Sequence, residues 1–88
     1  SDKAKDAVRV ITPDAMQDRF TYEEKVKIVA SAKPEVKVFY DDLRFRTRPV
    51  NLNSKRFRLA MNLLLVENCI DVGRDLALLA DGTPDEAY

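Results

Sequence analysis

The stretch from Lys55 to Ala80 constrains this chain more than any other, because its two halves present opposite sides for burial. At about 100° per residue, Lys55, Arg58 and Asn62 fall together on one side of the first half. In the second half Asp71, Arg74 and Asp75 carry the polar side. The apolar faces of the halves then point roughly 170° apart. Two arrangements satisfy that pattern: a helix that breaks near Glu67-Asn68, or one long helix buried on opposite sides by different neighbours. In a chain of 88 residues the second neighbour of an unbroken helix is another subunit. A homodimer or higher oligomer is therefore expected, with Leu64, Ile70, Leu76 and Leu79 at its interface.

That length gives room for one domain burying about 60–65 % of its unfolded surface. A hydrophobic content of 45 % with two glycines and four prolines excludes a low-complexity chain. The expected division is a polar tail over 1–7, disordered or left from a tag, one domain over 8–80, and an acidic segment over 81–88. No apolar run approaches the ~18 residues that span a bilayer, so no membrane partner is expected. The single Cys69 cannot close an intramolecular disulfide, which points to a reducing, cytoplasmic setting. The chain has no histidine, removing the commonest general base and transition-metal ligand. The carboxylates lack calcium-loop spacing. No catalytic residue, metal or cofactor is expected.

Helix signals are clear in the first third. Val8 to Ile11 reads as a short strand. Thr12-Pro13-Asp14 then supplies an N-cap, a proline at the first helical position and an acid near the positive end of the dipole, opening a helix from Pro13 to about Arg19. Thr21 to Glu24 is a capping box for a helix running to about Ala32, with Tyr22, Val26, Val29, Ala30 and Lys33 along one face. Pro34 ends it, since the residue before a proline is pushed out of the helical region. Ser54 caps the last helical region, which Gly82, Thr83 and Pro84 close.

Between these helices, Glu35 to Pro49 reads as a β-hairpin about Asp41-Asp42. Tyr40 then faces Leu43, Val38 faces Phe45 and Val36 faces Thr47, one nearly apolar face. The other face carries Phe39 beside Arg44, Lys37 beside Arg46 and Glu35 beside Arg48. Asp-Asp is a mediocre turn, and a four-residue loop gives the same faces. The fold class expected is thus α+β: short amino-terminal helices, a basic-faced hairpin and a long or broken carboxy-terminal helix.

The charges are segregated. Residues 44–58 hold six basic residues and no acid, whereas residues 59–88 hold six acids against Arg74 alone. A zero net charge therefore conceals a basic strip and an acidic end, and such a strip suits an anionic partner. An aromatic residue among cations also offers a base a stacking surface. The functional expectation is a non-catalytic nucleic-acid-binding module using Lys37, Phe39, Arg44, Arg46, Arg48, Lys55 and Arg56. The alternative is an oligomeric adaptor, structural or regulatory protein whose strip docks on an acidic protein surface. A bland reading leaves the strip solvated, its arginines paired to the acidic end. Two further patterns fail in detail. A ribbon-helix-helix plan puts its strand first and unpaired. Pro13-Asp14 with Glu35-Val36-Lys37 spells a metal-nuclease signature, but Asp14 is a helix-start residue.

Overall fold

Thr12 and Thr21 set the chain's first two helices, each by closing an orphan backbone N–H. In the computed structural model, which describes residues 7–88, the Thr12 hydroxyl accepts from the Ala15 amide at 3.1 Å. It opens helix α1, Pro13–Asp18, with Pro13 in the first turn. The Thr21 hydroxyl accepts from the Glu24 amide at 3.1 Å and the Glu24 carboxylate accepts from the Thr21 amide at 2.9 Å. That reciprocal box opens α2, Tyr22–Ala30. The face α2 buries is that of Glu24 and Ile28, so Tyr22, Val26 and Val29 lie exposed.

The segment read as a hairpin is instead helix α3, Pro34–Phe45. Both periods fit its apolar residues. Val36, Tyr40 and Leu43 alternate acceptably in a strand pair, but they also recur at helical spacing, and these three are the residues α3 buries. Several local features favour the helix. Pro34 sits at its first turn, where a missing N–H costs nothing; Glu35 lies near the dipole's positive end and Arg44 near its negative end; and the hairpin needed a poor turn. Pro34 thus both separates α3 from α2 and starts α3.

A small antiparallel sheet exists elsewhere. Strand β1, Val10–Ile11, pairs with β2, Val50–Asn51, with Ile11 opposite Val50. On the other flank of β1 the chain end returns: Val8 bridges Gly82 and Ile11 bridges Ala87. Gly82 has to be glycine there, since a Cβ would fall 2.8 Å from Ile11 Cγ2 and 2.9 Å from Val8 Cγ1. The molecule is accordingly α+β, with five helices and one two-stranded sheet among the described residues. No helix among the described residues is long and apolar enough to cross a membrane. The expected tail over 1–7 falls, except for Ala7, outside the described residues.

The carboxy-terminal helical region is two helices, α4 over Lys55–Val66 and α5 over Arg74–Leu78. Asn68 makes the break, with φ of 59°. Its amide donates to the Leu65 carbonyl at 3.1 Å, and the Cys69 amide donates to the Leu64 carbonyl at 2.8 Å. These are the two bonds of a Schellman end. The break lets both apolar faces turn into one core. Leu64 is fully buried and Ile70 nearly so, alongside Ile11, Met16, Ile28, Leu43 and Leu52. Leu64 and Ile70 are therefore occupied within their own chain and are not free for an oligomer interface. Leu76 stays exposed and Leu79 half-buried.

Candidate functional site

Where α3 ends, Arg46 turns the chain toward β2. Its guanidinium donates to the Pro49 carbonyl through Nη2 at 2.9 Å and to the Arg48 carbonyl through Nε at 3.0 Å. It also lies 5.9 Å from the centre of the Phe57 ring. Arg48 and Arg56, the latter from the first turn of α4, both lie near this guanidinium. The result is a groove of about 420 Å³ whose lining includes Phe39, Phe45, Phe57, Arg46, Arg48 and Arg56, with Asp41 and Asp42 from α3. A contiguous hollow of about 230 Å³ shares the three arginines and reaches Ser54.

The floor is aromatic and rigid. Phe39 and Phe57 meet edge to face at 5.6 Å, with Phe57 in the core. Phe45 is different: it is 75 % exposed at the end of α3, and the Arg44 guanidinium lies 5.1 Å from its ring centre. An aromatic ring left that open, with a cation over it, is a surface for stacking.

The arginines crowd one another. Burial, then the neighbouring charges of Arg48 and Arg56, pushes the Arg46 pKa below its ordinary value. The guanidinium remains protonated; burial contributes most to the shift, the two arginines add a repulsion, and Asp42 opposes it. Arg48, Lys55, Arg56 and Arg58 have no ion-pair partner among the described residues. Ser54 makes no side-chain bond to the start of α4, so the first amides of that helix add their partial positive charge to the same place.

Two acids of the carboxy-terminal end are engaged elsewhere. Asp81 meets Arg9 at 3.0 Å and Glu86 meets Arg19 at 2.9 Å. Arg74 holds Glu24 through two bonds, at 2.7 and 2.8 Å. Pairing of the basic strip to the acidic end is therefore absent among the described residues.

Of the seven candidate binding residues, the fold brings Phe39, Arg46, Arg48 and Arg56 into one groove. Phe39 is only half-exposed and packs on the core, so it supports the floor rather than standing out as a platform. Arg44 sits beside the groove, tied to Asp41 at 3.3 Å. Lys37 is exposed on α3 and Lys55 on α4, and neither lines the groove. Phe45 was missed because the hairpin register turned it to the apolar face; its place at the helix end beside Arg44 was the available signal. Among the described residues no three of His, Cys, Asp and Glu cluster as a metal set. Glu35 belongs to a helix rather than a strand and pairs with Lys33 at 3.6 Å, which removes the strand context of the nuclease pattern. Comparison with family models, curated proteins and solved structures gives no match.

Proposed function

We propose that this chain is a small non-catalytic binding module whose arginine groove engages a nucleic acid. The observation that carries the reading is that Arg48 and Arg56 converge beside Arg46 on an aromatic floor without an ion-pair partner among the described residues. Arginines gathered without an ion pair suit a polyanion, and phosphates are the anion that also brings bases to an aromatic floor. An intracellular, cytoplasmic setting belongs to the same reading, given the single buried thiol of Cys69.

Arg48 and Arg56 are the residues to change, because Arg46 also holds the loop and Arg44 is tied to Asp41. Replacing both, Arg48→Glu with Arg56→Glu, leaves the buried residues untouched and is expected to lower affinity for labelled nucleic acid at least about tenfold at low salt. Affinity that survives the double change, with the circular dichroism unaltered, would rule the groove out.

A second reading has its own observation. Leu76 is 73 % exposed and Leu59 60 % exposed, and with Leu79 they border a cleft of about 440 Å³ flanked by Arg58 and Asp75. An apolar cleft with one charge of each sign at its rim suits an oligomeric or adaptor role. Light scattering on the wild type is expected to show a dimer that Leu76→Asp dissociates. A monomer at every concentration would end this reading.

A further inference from the structure

The groove is not a uniformly basic surface, and its mixed chemistry says which part of a nucleic acid enters it. Arginines come from the loop after α3 and from the first turn of α4, aromatic rings form the floor, and carboxylates come from the last turns of α3. A duplex offers such a groove its phosphates and sugars, which carboxylates repel. An unpaired base offers a flat apolar face and N–H donors as well. The volume of about 420 Å³ also lies in the ~300–1,000 Å³ range of sites that enclose a small ligand.

The two carboxylates differ. Asp41 is held by Arg44, whereas Asp42 has no ion-pair partner among the described residues. A free carboxylate accepts two parallel hydrogen bonds from adjacent donors. Guanine carries such a pair, N1–H and N2–H, on one edge; adenine and cytosine carry a single amino group there.

We propose that the groove takes an unpaired guanine of a single strand, its ring against Phe45, its donor edge on Asp42 and its flanking phosphates at Arg48 and Arg56. The inference rests on the nucleic-acid reading above and adds the strand form and the base.

The test is fluorescence anisotropy on the full chain at low salt with a short labelled thymidine strand bearing one central guanine. The comparison probes are the same strand with inosine, which lacks the N2 amino group, the corresponding duplex, and free guanosine monophosphate as competitor. The guanine strand is expected to bind about fivefold or more tighter than the inosine strand, which loses a hydrogen bond to the carboxylate, and than the duplex, which offers no free base to stack. Phe45→Ala should remove most of the preference for the single strand over the duplex. Asp42→Ala should lower affinity for the guanine strand and erase discrimination against inosine, while raising affinity for the duplex, because it removes a negative charge near the arginines. Opposite signs for the two probes are the signature. Equal binding of strand and duplex, or an Asp42→Ala variant that tightens every probe alike, would overturn the guanine pocket and leave a phosphate-binding surface. Tighter binding of the free mononucleotide than of the strand would overturn the single-strand assignment. No binding of any probe would sink the inference together with the nucleic-acid reading.

Discussion

Glu24 is a buried acid that stays ionised because fixed donors meet its carboxylate. Arg74 provides two and the Thr21 amide a third. The Arg74 bonds hold its pKa below the ordinary value, against the opposing effect of burial. Glu86 is likewise held low, first by Arg19 and then by the Thr83 amide. Folded values below unfolded ones mean that this stabilisation is complete above the unfolded glutamate pKa and is lost as pH falls through the folded values. The urea midpoint is therefore expected to drop as pH falls below about 5, and Arg74→Ala should shrink that drop. At neutral pH the same variant should cost about 2 kcal/mol, less than a fully buried pair because the Arg74 side chain is 32 % exposed. An unchanged pH profile in Arg74→Ala would contradict this account of Glu24.

Backbone conformation decides where the helices stop, and two residues carry it. Asn68 takes a left-handed φ of 59°, so Asn68→Gly is expected to stabilise the fold by about 0.5–1 kcal/mol in urea melts. Gly73, at the start of α5, has φ of 96° with open space where a Cβ would go. Gly73→Ala should then cost about 1–2 kcal/mol from backbone strain alone. These elements also show what a single sequence reveals. Thr12, Thr21 and Pro13 announce α1 and α2 because capping is local chemistry, whereas the opposed faces around Glu67-Asn68 leave a break and a continuous helix equally open. The segment after Pro34 was misread because Val36, Val38 and Tyr40 satisfy period two as well as Val36, Tyr40 and Leu43 satisfy the helical period. The terminal signals that favour the helix, Pro34 and Glu35 at its start and Arg44 near its end, are local, and they carry less weight than the apolar period until the packing is known. The sheet was half legible: Val10 and Ile11 read as a strand, but their partners Val50 and Asn51 lie 40 residues away, beyond any local signal.

Across the whole molecule the charge separation read from the sequence persists after folding, by a route the sequence did not disclose. Arg9 and Arg19, outside the basic strip, neutralise Asp81 and Glu86 and so tie the chain end beside β1. The strip keeps its charge, and the fold gathers part of it around aromatic rings. Three of the candidates that line the groove, Arg46, Arg48 and Arg56, were legible because basic residues clustered in sequence sit on two segments that meet at Arg46. Phe45 was not, because its exposure depends on α3 being a helix, and Asp42 read only as a turn residue. The claim at the centre is that Arg46, Arg48 and Arg56 bind phosphates. Titrating a labelled single strand across salt concentrations tests it most directly. Three phosphate contacts predict log K falling against log salt with a slope of about −2, made shallower when Arg48 and Arg56 are replaced. A slope near zero, or no binding at low salt, would contradict the account.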